Sequence, residues 1–359
     1  MTDERRTDAA MDAHATPTCL PRVYHPYLDG WRGIAIALLL IGHFAPVPGI
    51  NLGQAGVNFF FVLSGLLMAR ILFIEKMPLA TFYRRRISRI VPSVVVFIGV
   101  IVVLRMATGQ VVSWTEVGAA LAFLNNYFPG EPGAAVMPFG HIWSLCVEEH
   151  SYILLSLIAL AARAGLVDGM RAIGTAALCM GASGIWYWLT YHGANLAFDR
   201  WLHTEVAAYG LFAAAYLALR LGAALRPARA LPWLVFPALL GLGLALHWWS
   251  VALPLRTIGG VGAFAMCVAL LARAPRLVHT LLSCMPLRQL GLYSFSLYLW
   301  QQPFYLAVDR LGLPTWAALV CALATGVAAF HLIEQPARRY LNRVWQGAGA
   351  PLPAPQGLG

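Results

Sequence analysis

The stretch YLDGWRGIAIALLLIGHFAPVPGI, residues 27–50, decides the class of this chain. Between Gly33 and Ile41 it is unbrokenly apolar, the reading of a lipid-embedded helix, yet it carries Arg32 at one end and His43 near the other. On a helix turning 100° per residue, those eleven positions leave the two side chains about 20° apart around the axis and about 16 Å apart along it. They share one face at two depths. Ionisable groups inside a span are costly and face a cavity or a partner. The pair therefore reads either as two points on a functional axis or as a snorkelling arginine with a hydrogen-bonded structural histidine.

The rest of the chain agrees with a membrane setting. Of its 359 residues 60% are hydrophobic and 11% charged, which excludes an ordinary soluble domain. Apolar runs near the length that a hydrocarbon core of about 30 Å requires recur over 29–48, 55–74, 90–108, 141–162, 171–190, 201–220, 231–249, 255–272, 289–308 and 313–334. Only helices or closed barrels satisfy their backbone in lipid, and these runs are too long for barrel strands. The expected fold is all-α: a polytopic bundle of about ten transmembrane helices.

With the N-terminus inside, only Arg105, Arg200, Arg256 and Arg310 of the 25 basic residues fall at outer ends. The positive-inside rule then places both termini in the cytoplasm. Residues 1–26 read as a disordered cytoplasmic tail, 27–340 as the membrane domain and 341–359 as a Pro/Gly-rich disordered tail. Residues 116–124 could form a short helix dipping into the membrane, before the turn-rich NNYFPGEPGAAVMPFG.

The formal charge of +10 is spread singly between apolar runs, so nucleic acid is not an expected partner. Six scattered cysteines form no C-x-x-C pair, and no metal site, disulfide framework or Gly-rich phosphate loop is expected. Neither repeats nor charge patterns set an oligomeric state.

Four further stretches carry candidate chemistry. GVNFFFVLSG places Asn58, Ser64 and Gly65 in an aromatic setting, where small and polar groups also serve close helix packing. TFYRRRISRIVP holds Arg84, Arg85, Arg86 and Arg89, a guanidinium cluster suited to phosphate or to anionic lipid. HIWSLCVEEHSYILL puts Ser144, Glu148 and Tyr152 on one helical face, with Glu149 about 100° further round from Glu148. If that span descends from the outer surface at residue 141, Glu148 lies about 10 Å down, level with His43. The two are expected to meet, with the carboxylate polarising the imidazole for general-base catalysis. SFSLYLWQQPFY aligns Ser294, Tyr298, Gln301 and Tyr305, and IEQPARRY sets Glu334 beside basic residues.

Together these segments resemble the acyltransferase-3 family of bacterial membrane proteins. The likeness rests on the Arg-x10-His of YLDGWRGIAIALLLIGH, on GVNFFFVLSG, on the RxxR of FYRRRISRIVP, on IWSLCVEEHSYILL, on SFSLYLWQQP and on IEQP, in that order over residues 27 to 336. It implies transfer of an acyl group, acetyl above all, from cytoplasmic acyl-CoA to a hydroxyl. The acceptor would be a surface or secreted polysaccharide or its lipid-linked precursor, or alternatively a macrolide-like metabolite or lipid sugar. No permanently bound cofactor is implied, and the location would be the bacterial inner membrane.

Carried over by position, His43, Glu148 and Arg32 become the catalytic candidates, and Arg86, Arg89 and Arg85 the ligands of the CoA phosphates. Asn58, Ser144, Glu149, Tyr298, Gln301 and Glu334 become supporting residues. Gln301 stands where family members often have His, so it should orient or hydrogen-bond rather than act as acid or base, and Trp31 replaces the usual Leu. The extracytoplasmic esterase-like domain of some members is not expected here. From another class, a transporter or flippase would also carry ten spans with buried ionisable groups, but no inverted repeat is visible.

Overall fold

Lipid leaves the backbone no partner but itself, and every regular element among the described residues answers that demand as helix. The computed structural model describes residues 25–128, 137–191, 200–222 and 232–347. Among them there is no strand, only an isolated antiparallel bridge between Ile50 and Trp248. Most of the tails expected at 1–26 and 341–359 lies outside the described residues.

The helices that frame the site are α1 (Pro26–Phe44), α2 (Leu52–Met68), α3 (Leu79–Ala107), α4 (Trp114–Leu121), α5 (Trp143–Arg163) and α6 (Gly169–Thr190). After them come α7 (Tyr209–Arg220), α8 (Val235–Ala245), α9 (Gly262–Ala269), α10 (Arg276–Leu282), α11 (Met285–Leu311), α12 (Thr315–Ala329) and α13 (Gln335–Gly347). Among the described residues, five continuous helical stretches are long and apolar enough to cross a membrane: Leu52–Ile74, Leu79–Ala107, Gly140–Arg163, Gly169–Thr190 and Thr315–Trp345. Helix lies within each of the ten apolar stretches, but α8 has 11 residues and rises only about 16 Å, half a hydrocarbon core.

Between apolar helices in lipid, close packing replaces the hydrophobic drive, and small residues permit it. A Cβ on Gly42 would lie 2.3 Å from the Gly53 nitrogen, so α1 and α2 run backbone against backbone at that level. On the other side of α1, a Cβ on Gly291 would lie 1.9 Å from the Asp29 carbonyl, which seats α11 equally close. Trp31 donates its indole N–H to the Phe59 carbonyl at 3.1 Å and stacks on the Phe59 ring. These contacts fix α1 between α2 and α11, so its polar face looks along the seam they share.

Residues 341–347 correct the expected tail: they continue α13. Its arginines and its Tyr340, Val344 and Trp345 alternate at helical spacing, the pattern of a helix lying at an interface rather than of a disordered tail.

Candidate active site

At one end of the α1 seam the arginines converge. A basin of about 480 Å³ is lined by Arg32 of α1, Arg85, Arg86 and Arg89 of α3, and Arg338 and Asn342 of α13. It adjoins a narrower cavity of about 100 Å³ reaching into the bundle, and Arg32, Leu67, Arg86 and Arg89 border both. A neck of three guanidinium groups thus separates the basin from the cavity. Guanidinium forks match phosphate oxygens bidentately, so a phosphorylated ligand suits this basin.

Each arginine of the neck is held. Arg32 pairs with Asp29 at 3.0 Å one turn away, and Arg89 lies 3.8 Å from Glu334, whose other oxygen accepts from Ser296 at 2.6 Å. Arg86 sits 3.9 Å over the Tyr152 ring, a cation–π contact. The Tyr152 hydroxyl donates to Glu148 at 2.9 Å, and Ser64 donates to the other Glu148 oxygen at 2.7 Å. Glu148 therefore belongs to the wall of the cavity under the arginine neck.

The inner end of the cavity is capped by Ser144 and Tyr298, whose hydroxyls lie 2.7 Å apart. Tyr298 also hydrogen-bonds the His141 carbonyl. The local cause is Pro303: lacking an N–H, it leaves the Leu299 carbonyl without its helical partner. His141 Nε2 takes that carbonyl at 3.0 Å, so the start of α5 docks deep against α11.

His43 lies beyond this cap. Its Nδ1 is 2.8 Å from Gln301 Oε1, which as an acceptor makes Nδ1 the protonated nitrogen and leaves the Nε2 lone pair available. The ring stacks on Tyr305, centroids 4.3 Å apart at 17°. Gln301 is wholly buried, and His43 is half-buried. A neutral, oriented imidazole with one free nitrogen is the form required of a general base.

The sequence profile of the acyltransferase-3 family, an acyltransferase domain, matches residues 25–333, most of the chain and the site as far as the end of α12. The chain belongs to the acyltransferase-3 family. It is a multi-pass membrane protein, similar to the Bacillus subtilis protein YrhL, which is named as a peptidoglycan O-acetyltransferase. The two are 26% identical over 355 residues, 88% of this chain and 55% of YrhL. It is also 29% identical over 156 residues to the O-acetyltransferase OatA of Staphylococcus aureus, 38% of this chain and 24% of OatA. The chain thus spans about half or less of the length of these relatives. No solved structure matches it.

The expected meeting of His43 and Glu148 does not occur. On α2, Gly53 flanks the His43 ring, with a Cβ there 3.6 Å from Nε2, whereas Glu148 binds Ser64, eleven residues further along. That separation is about 16 Å, so Glu148 stands level with Arg32. The reason is the docking of His141: α5 starts beneath the surface, and counting depth from residue 141 placed Glu148 too near His43.

Of the other sequence candidates, Asn58 faces His247, its Nδ2 3.0 Å from Nε2, and does not line the cavity. Glu149 is not a cavity residue either, and its Oε1 is buried without a hydrogen-bond partner among the described residues. Arg85 lies on the basin rim, near the Met77 sulfur. Sequence reasoning missed Arg338, at the end of the expected membrane domain, and Asn342, in the expected tail, although their helical spacing along α13 was there to read. Among the described residues, no group of His, Cys, Asp or Glu could hold a metal ion.

Proposed function

We propose that this acyltransferase moves an acetyl group from cytoplasmic acetyl-CoA, through the bundle, to a hydroxyl of a cell-wall or surface polysaccharide. The observation that carries this reading is the alignment along α1: an arginine basin, a narrow cavity, a hydroxyl cap and then a histidine with a free nitrogen. The CoA phosphates rest among Arg32, Arg85, Arg86, Arg89 and Arg338, and the thioester arm enters the cavity past Glu148. Both termini are cytoplasmic, the chain crosses the bacterial inner membrane about ten times, and His43 faces the outer half. The peptidoglycan named for YrhL favours a glycan acceptor.

His43 Nε2 takes the proton of the acceptor hydroxyl while the oxygen attacks the thioester carbonyl. The tetrahedral intermediate collapses, the C–S bond breaks, and the CoA thiolate leaves, taking its proton from the His43 imidazolium, which returns to the neutral base. Gln301 keeps Nδ1–H in place throughout. The Ser144–Tyr298 pair stands between cavity and imidazole, so it parts as the acyl group passes, and its hydroxyls are at hand for the carbonyl oxygen.

The reading is tested in proteoliposomes given acetyl-CoA labelled in the acetyl group and a glycan acceptor on the opposite side. Label is expected in the glycan with the wild type and not with His43→Ala. Acceptor flux without consumption of acetyl-CoA would instead favour a transporter.

A further inference from the structure

Arg256 breaks the charge pattern of the chain, a cation at the end where few basic residues fall, and it is 4% exposed. Both terminal nitrogens of its guanidinium donate to local acceptors, while Nε is buried without a hydrogen-bond partner among the described residues. Nη1 donates to Gln54 Oε1 at 3.2 Å, and Nη2 to the carbonyls of Trp248, Trp249 and Val251 at 3.3, 3.2 and 3.2 Å. The group also lies 5.3 Å from the Trp249 ring centroid. With its hydrogen bonds directed at the protein, it is not arranged to bind substrate.

What it joins is informative. Segment 247–256 grips the α1–α2 turn and the first two turns of α2 at several points. Trp249 N donates to the Gly49 carbonyl at 2.7 Å, and Asn51 N to the His247 carbonyl at 3.0 Å. His247 Nδ1 donates to the Gly243 carbonyl at 2.6 Å, which leaves Nε2 to accept from Asn58 at 3.0 Å. Gln54 Oε1, the atom held by Arg256, also accepts from Asn51 Nδ2 at 3.4 Å, and Asn51 Oδ1 caps α2 through Gln54 N at 3.0 Å. Between Asn51 and Gln54 lies Gly53, the residue against the Nε2 edge of His43.

We propose that Arg256 is a positioning residue: acting through Gln54, it holds the first turn of α2 as the wall that faces the reactive edge of His43, opposite the Gln301 contact. The imidazole is then held on both edges, by a hydrogen bond at Nδ1 and by a fixed backbone at Nε2. This rests on the reading of His43 as the base. A shift of about 1 Å in such a wall is enough to cost about a hundredfold in rate.

The test uses the full chain in proteoliposomes with three variants, Arg256→Gln, Gln54→Leu and Gln54→Glu. The first readout is the division between kcat and the KM for acetyl-CoA. The second is the rate at which diethyl pyrocarbonate modifies His43, followed by peptide mass spectrometry. Gln54→Leu should lower kcat about tenfold or more with KM unchanged and speed modification of His43 at least threefold, while Gln54→Glu, which keeps an acceptor for Arg256, should restore both. Arg256→Gln should match Gln54→Leu, and if it fails to fold, the two Gln54 variants decide alone. Unchanged kcat and unchanged modification in Gln54→Leu would overturn the proposal. Altered modification in a chain whose wild type transfers no acetyl would uphold the positioning and reject the assignment of function on which it rests.

Discussion

The two ends of α1 solve the problem of polar groups in a membrane protein in opposite ways. Around Arg32 the solution is charge: guanidinium groups meet carboxylates, with Asp29 on Arg32, Glu334 near Arg89 and Glu148 below Arg86 through Tyr152. Around His43 it is neutral: an amide oxygen on Nδ1, a tyrosine ring on the face and backbone at the far edge. A carboxylate beside His43 would favour the imidazolium and tie up the proton that a base must accept and release, whereas an amide orients without adding charge. The first end suits holding an anionic ligand, and the second suits moving a proton.

The comparison can be broken most severely at His43. His43→Ala should reduce acetyl transfer by about two to four orders of magnitude, the usual worth of a positioned base, measured by labelled product. Gln301→Leu, which keeps the volume but removes the acceptor, should lower kcat by about tenfold to a hundredfold, the range for partners that orient a functional histidine. Loss of phosphate contacts in Arg86→Ala with Arg89→Ala should weaken acetyl-CoA binding by about tenfold or more, since charge-assisted hydrogen bonds contribute about 1.5–3 kcal/mol each. In Glu148→Gln the pH profile of kcat should stay in place, because Glu148 does not touch His43; a profile displaced as far as that of Gln301→Glu would merge the two ends.

The smallest effect sharpens the reason for their separation. His141→Ala orphans the Leu299 carbonyl next to Pro303 and should lower stability by about 1–3 kcal/mol, the cost of an unsatisfied buried polar group. Thermal unfolding in detergent measures it.

Much of this site could be read along single helices. The spacing of Arg32 and His43, the shared face of Ser144, Glu148 and Tyr152, and the clustering of Arg85, Arg86 and Arg89 are properties of one helix each, and periodicity reaches them. What was not legible was the offset between helices. The depth of Glu148 depends on where α5 begins, and that is set by a carbonyl which Pro303 frees on α11, about 160 positions away in the sequence. Hydropathy marks where apolar residues start and not where a helix docks. For the same reason Arg338 read only as a basic residue beside Glu334 at the end of the membrane domain: the turn of the chain back over α3 brings it to the basin.

The direct measurement of the division between the two ends is a calorimetric titration of acetyl-CoA, paired with single-turnover transfer, on His43→Ala and on the Arg86→Ala, Arg89→Ala double variant. The account predicts that the histidine variant binds acetyl-CoA like the wild type and fails to transfer it, while the arginine variant binds weakly and transfers once saturated. Wild-type transfer by His43→Ala, or unweakened binding by the arginine variant, would contradict it.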